Sequence, residues 1–295
     1  MIPTLKTRNK IFIELMAYSY LNANEAKSLG YNVIVNSLTK SVFYQIKGLV
    51  AVDKFTSENA ASLWYKIKDM KNYSNYIINH YNIYWNKHDC IFLDKFYKLF
   101  ADTENIYVKS FLASIMIEVM IQQSVFKRFN VNTEGYIQEQ EILTKHKFLF
   151  IVEDFKNKIR SGHKVNVVCN SLSDFINSLS TAGIVYLDIP SRNVFYDYHP
   201  IYDIFENYGN GHFSDKRLHI SDEVKKMAEK YPLAGDRFIK FWSRFIPQIF
   251  EIDLEYFVIK IKESMDIERS WFIDKLSNYG KVFEINNFLV CELNK

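Results

Sequence analysis

Residues 183–208 read GIVYLDIPSRNVFYDYHPIYDIFENY, and this stretch decides the fold. Residues 184–188 form a short apolar run that ends in Asp188 and is followed at once by Ile189-Pro190-Ser191. Such a run, bounded by turn residues, fits a fully buried strand. Strands of this kind belong to parallel sheets covered by helices on both faces. Open α/β sheets hold ligands at the carboxyl ends of their strands, so Asp188 stands where a site belongs. An aspartate there can equally cap the next turn.

The pattern repeats outward from this stretch. Upstream, residues 165–169 (VNVVC) are a strand and 172–179 a helix. At the start of the chain, residues 11–17 (IFIELMA) are an apolar strand, 19–29 a helix, Gly30 its C-terminal glycine, and 32–37 (NVIVNS) a second strand. Strand, helix, glycine, strand is a βαβ unit, which requires parallel pairing and a right-handed crossover. Downstream, a long loop leads to helices near 221–230 and 235–246, a strand at 256–262 and a helix at 267–277. Strands 281–285 and 288–293 then close around Asn286-Asn287, a tight hairpin turn.

The middle of the chain differs. Residues 58–80 and 91–129 have helical periodicity, and no glycine occurs between Gly48 and Gly135. The expected architecture is an α/β doubly wound sheet, residues 1–52 and 161–295, carrying a closing antiparallel hairpin and a mostly helical insertion, residues 53–160.

Bulk properties narrow the function. With 295 residues, 48% of them hydrophobic, the chain can bury a substantial core. A formal net charge of +3 is too small for a uniformly basic nucleic-acid binder but allows a local basic face. Three dispersed cysteines, Cys90, Cys169 and Cys291, argue against a disulfide framework and suit a reducing cytoplasm. Metal-ligand spacings are missing, so no metal is expected. No signal-peptide pattern or membrane-spanning run is present. Neither a G-x-S-x-G elbow nor a phosphate-binding loop occurs.

Asp188-Ile189-Pro190-Ser191 and the Tyr/His/Asn-rich stretch after it resemble the catalytic loop of adenine-N6 DNA methyltransferases of the Dam/FokI-like, Asp-Pro-Pro-Tyr class. Tyr196, Tyr198, His199 and Ile201-Tyr202 fall where that class continues its loop. Helix 111–120 resembles the helix preceding the family's recognition segment. The first strand, Glu14-Leu15-Met16-Ala17-Tyr18-Ser19-Tyr20, keeps the frame of the family's cofactor motif, Asp-Leu-Phe-Ala-Gly-Ser-Gly. The likeness spans about residues 11–290, and its motifs are partial.

The resemblance implies a Rossmann-like methyltransferase fold and assigns roles position by position. Asp188 and the carbonyl of Ile189 would accept the two N–H bonds of a flipped adenine, with Pro190 and Ser191 completing a degenerate motif. Ser191 stands where the family has a stacking tyrosine, and a base–aromatic stack is worth roughly 1–3 kcal/mol. Glu14, Met16, Ala17, Tyr18, Tyr20 and Asn36 would line the S-adenosylmethionine site. Tyr18 and Tyr20 replace its glycines, and the second strand ends in Asn36-Ser37 without the carboxylate that binds ribose. Lys127, Arg128, Lys145, Lys147, Lys156, Lys158, Arg160 and Lys164, with Tyr196 and His199, are the expected DNA contacts.

These departures lead to an expectation of a chain that binds no cofactor and does not transfer methyl groups alone. It would be a DNA-binding subunit, of the kind found in restriction–modification systems, paired with an active methyltransferase. The alternatives are an active S-adenosylmethionine-dependent adenine methyltransferase, or a structural or regulatory protein that reuses the fold.

Overall fold

The computed structural model describes residues 2–49, 57–81, 84–124, 141–159, 164–189, 199–207, 229, 235–261 and 265–293. The chain divides into two compact units. One comprises Met1–Leu38, Arg160–Arg192 and Ala228–Lys295; the other comprises Thr39–Ile159 and Asn193–Met227.

The first unit is a Rossmann-like α/β sheet. Its strands are β1 (Ile11–Ala17), β2 (Asn32–Ser37), β3 (Val165–Val168), β4 (Thr181–Asp188), β5 (Asp253–Lys260), β6 (Gly280–Ile285) and β7 (Phe288–Leu293). They lie in the order β3-β2-β1-β4-β5-β7-β6. All pairs among β1 to β5 are parallel, while β7 runs antiparallel between β5 and β6. The order reverses between β1 and β4, which is where an open sheet forms its ligand crevice.

Local chemistry accounts for the first βαβ unit. Helix α1 (Leu21–Ser28) ends at Leu29, and Gly30 follows with φ 87°. The Gly30 N–H bonds to the Lys27 carbonyl and the Tyr31 N–H to the Ala26 carbonyl, the paired closure that a left-handed glycine permits. Tyr31 is thereby buried against Phe12 of β1, with ring centroids 6.1 Å apart. At the other end of the sheet, Asn286 (φ 55°) makes the expected two-residue turn, and Ile285 pairs with Phe288.

Strand β4 begins at Thr181, earlier than its apolar run, because Thr181 and Ala182 pair with Asp253 and Leu254 of β5. For the same reason β5 spans 253–260 rather than 256–262. The remaining described helices of this unit are α8 (Leu172–Asn177), α10 (Gly235–Ile249) and α11 (Asp266–Leu276). The helix expected near 221–230 lies, but for residue 229, outside the described residues.

All described elements of the second unit are helices: α2 (Lys40–Gly48), α3 (Ser57–Lys68), α4 (Tyr76–Tyr81), α5 (Lys87–Asp102), α6 (Ile106–Gln123), α7 (Lys145–Lys158) and α9 (His199–Asn207). The sequence periodicity over 91–129 resolves into α5 and α6, because Asn105 accepts from the Tyr107 and Val108 N–H groups and caps a new helix. Residues 111–120 of α6 are all buried, as befits a helix apolar on every side. It packs against α2, α5 and α7. Helix α9 occupies part of the stretch expected to be loop. Pro200 suits its first turn, and Ile201, Ile204 and Phe205 form a buried stripe.

Candidate functional site

Side-chain alternation fixes which residues meet at the carboxyl edge of the sheet. Glu14 of β1 pairs with Tyr186 of β4, and Asp188 of β4 pairs with Lys260 of β5. Glu14, Tyr186, Asp188 and Lys260 therefore share one face. Helix α1 contributes Asn22 to the same group. Its amide nitrogen donates to Glu14 Oε1 at 2.8 Å and reaches Asp188 Oδ2 at 3.4 Å. Lys260 Nζ donates to Asp188 Oδ2 at 2.9 Å.

The cluster is buried and charge-compensated. Glu14 is fully buried and Asp188 nearly so, while the Lys260 side chain stays 31% exposed. Desolvation pushes the Glu14 carboxyl up to about 8, helped by Asp188 and opposed by Asn22 and Lys260. At neutral pH Glu14 is thus mostly protonated beside the Asp188–Lys260 pair. Burial, with Asp188 and Glu14 nearby, also raises the Tyr186 phenol above its ordinary range.

Two oxygens here are buried without a hydrogen-bond partner: Glu14 Oε2 and Asp188 Oδ1. A buried acceptor left unsatisfied costs about 1–3 kcal/mol. Chemically, Asp188 Oδ1 offers a place for an N–H or O–H donor next to a lysine ammonium.

Ile189 is buried immediately after β4, whereas Pro190 and Ser191 lie outside the described residues. Met16 and Ala17 are buried in the core at the end of β1. Tyr20 is 6% exposed and starts α1 with φ −81°, an ordinary backbone angle. Tyr18 is half-buried, and it too lacks a positive φ. The turn after β1 therefore needs no glycine for its backbone; what glycine would supply here is space.

Asn36 is fully buried and committed elsewhere. Its amide nitrogen donates to the Asn170 carbonyl at 3.2 Å, and its Oδ1 accepts from the Asn170 N–H at 3.0 Å. Ser37 Oγ donates to the Val168 carbonyl at 3.0 Å. The polar end of β2 thus ties down the loop after β3.

The expected DNA contacts separate into groups. Lys145 donates to Tyr65 Oη at 2.9 Å, and Lys147 lies 4.0 Å from Glu141. Lys156 pairs with Glu153 at 3.5 Å; Lys158 pairs with Asp154 at 2.7 Å and Glu118 at 3.5 Å. Lys164 is exposed just before β3. Lys127, Arg128, Arg160 and Tyr196 fall outside the described residues, as does the side chain of His199.

Sequence reasoning missed Asn22 and Lys260. Asn22 carries no motif signal, and Lys260 becomes informative only once the β4–β5 register is known. Among the described residues, no group of three His, Cys, Asp or Glu side chains is placed to hold a metal ion. No helix among them is long and apolar enough to cross a membrane. A comparison with known proteins finds no family model that matches the chain and no curated protein significantly similar to it.

Proposed function

We propose that this chain is a non-catalytic, DNA-binding subunit built on the adenine-N6 methyltransferase fold, acting beside an active methyltransferase. The observation that carries this reading is the Asp188–Lys260 ion pair. In an adenine methyltransferase the aspartate at this strand end must accept the target amine. Here one oxygen already receives Lys260 and Asn22, and the other is buried.

The strand order is that of an open α/β sheet with one antiparallel strand. A purely parallel 3-2-1-4-5-6 sheet is the dinucleotide-binding pattern. An antiparallel β7 between β5 and β6 departs from that pattern and belongs to the closing hairpin read from residues 281–293. The cofactor positions do not suit S-adenosylmethionine. Tyr20 is packed where the family opens its glycine loop, and Asn36 has no free group for a ribose. No methyl-transfer step is assigned to this chain.

Calorimetric titration of the full chain with S-adenosylmethionine and S-adenosylhomocysteine tests the proposal, with duplex DNA as the second titrant. DNA binding without cofactor binding is expected. Micromolar cofactor binding would overturn it in favour of an active enzyme. That second reading has one observation behind it: Asp188 Oδ1 has no partner, and the partly exposed Lys260 can leave it. Binding of neither ligand would leave a structural protein.

A further inference from the structure

Helix α10 carries a charge pattern that the site above does not use. Its buried stripe is Phe238, Trp242, Phe245, Ile246 and Ile249. On the opposite face Arg237, Lys240 and Arg244 are exposed at positions i, i+3 and i+7. That spacing puts three cations on one side of the helix over about 10 Å of its axis.

Some cations elsewhere have a partner close by, although among the described residues Lys6, Arg8, Lys66, Lys71, Lys87 and Lys281 are exposed without an ion pair. Lys98 has Asp102, Lys158 has Asp154, Arg269 has Glu284 and Lys275 has Asp274. Among the described residues, no such ion pair involves Arg237, Lys240 or Arg244. Asp236 lies one turn before Lys240 but is not paired with it; it sits in the first turn of α10, as Asp266 does in α11, where helix N-termini favour carboxylates.

Acidic groups on the helices packed against α10 are also engaged. Asp174 of α8 accepts from Ser171 Oγ, and Glu268 of α11 accepts the Gly235 N–H at 2.8 Å. The stripe therefore carries three exposed cations against one exposed carboxylate, Asp236, on its own helix.

Its position follows from the sheet. Helix α10 feeds β5, which runs parallel to β4, so α10 starts at the carboxyl edge of the sheet. The Gly235–Glu268 bond fixes that start beside α11, which follows the end of β5. Arg237 and Lys240 thus lie toward the edge that holds Asp188 and Lys260.

We propose that Arg237, Lys240 and Arg244 form a phosphate-backbone contact for duplex DNA. This deepens the DNA-binding part of the function proposed above and rests on it. A regular polyanion matches three fixed cations on one rigid face. A lipid surface is the poorer fit, because the apolar stripe of α10 is buried in its own core and unavailable for insertion.

The test is fluorescence anisotropy of the full chain with a labelled DNA duplex, from about 50 to about 200 mM salt. R237E/K240E/R244E is expected to bind at least about tenfold more weakly. Its log–log salt slope should shrink by about 2–3, near 0.9 for each phosphate that is no longer neutralised. R237K/R244K should stay near wild type. The neutral R237Q/K240Q/R244Q guards against any folding defect of the reversed charges, and should lose affinity in the same direction.

K145E/K147E/K156E, in the second unit, separates the two claims. If it abolishes binding while the α10 variants keep wild-type affinity and slope, this inference falls and DNA binding stands. If the wild type binds no duplex at low salt, both fall. If the α10 reversal removes binding to phosphatidylserine-containing vesicles but leaves duplex binding intact, the stripe is a lipid contact and the inference is overturned.

Discussion

Lys260 Nζ lies 2.9 Å from Asp188 Oδ2 at paired positions of two adjacent parallel strands. The aspartate is buried and the lysine partly exposed, so the lysine keeps some hydration while the carboxylate depends on it. Removing one partner of such a pair costs more than removing both. Lys260→Met should therefore destabilise the protein by about 1–3 kcal/mol, the upper range being reduced because Lys260 still meets solvent. Asp188→Asn combined with Lys260→Met should recover part of that loss. Urea unfolding of the two single variants and the double variant gives the coupling; strict additivity would show that the contact contributes nothing.

A second prediction concerns pH. The Glu14 carboxyl has its pKa raised from 4.5 to about 8 in the folded chain. Between those values the unfolded chain has released a proton that the folded chain retains. The folded state then binds more protons, so stability falls as pH rises from about 4.5 to 8. Glu14→Gln keeps an oxygen for Asn22 and removes the titration. Relative to wild type, it should gain about 1–3 kcal/mol on going from pH 5 to pH 8. Urea melts at the two pH values decide the matter: the same pH dependence in both proteins would mean that Glu14 titrates normally.

The contrast between these residues shows what a sequence makes legible. Strands β1, β2 and β7 announce themselves because apolar runs and their turn residues are local signals. Gly30 likewise marks the end of α1, since only that residue type takes φ 87° without cost. The Asp188–Lys260 contact is different. It joins residues 72 apart in the chain and exists only through the β4–β5 register. Asn22 is an ordinary polar residue in the first turn of a helix until β1 and β4 bring two carboxyls to it. Helix α9 was legible in principle, from Pro200 and the spacing of Ile201, Ile204 and Phe205.

Asn36 provides a third test, because its amide serves both hydrogen-bonding directions at once. Asn36→Asp restores the carboxylate that the methyltransferase resemblance lacks at this position. In this fold it would instead lose the donor to the Asn170 carbonyl and set two oxygens against each other. A loss of about 1–3 kcal/mol is expected, together with no gain in S-adenosylmethionine affinity. Thermal melts and calorimetry check both halves. A variant that is stable and binds the cofactor would show that the end of β2 is a dormant ribose site.

Gly183 gives the last prediction, at the opposite edge of the sheet. A Cβ at this position would lie 2.0 Å from the Asn9 carbonyl oxygen and 3.0 Å from its carbon. Both are backbone atoms, so no side-chain rotation relieves the overlap, and the segment before β1 must move. That segment is held by Glu255, whose two carboxylate oxygens accept the Arg8 and Asn9 N–H groups at 2.9 and 2.7 Å. Asn9 also donates from its side chain to Thr181 Oγ1 at 2.9 Å. Gly183→Ala should therefore lose these bonds together and destabilise by about 2–4 kcal/mol, well beyond an ordinary glycine substitution in a strand. Glu255→Ala removes the clamp alone and should cost less. Because both changes release the same segment, the double variant should be less destabilised than the sum of the two. Full additivity in unfolding experiments would mean that Gly183 and Glu255 act on separate parts of the structure.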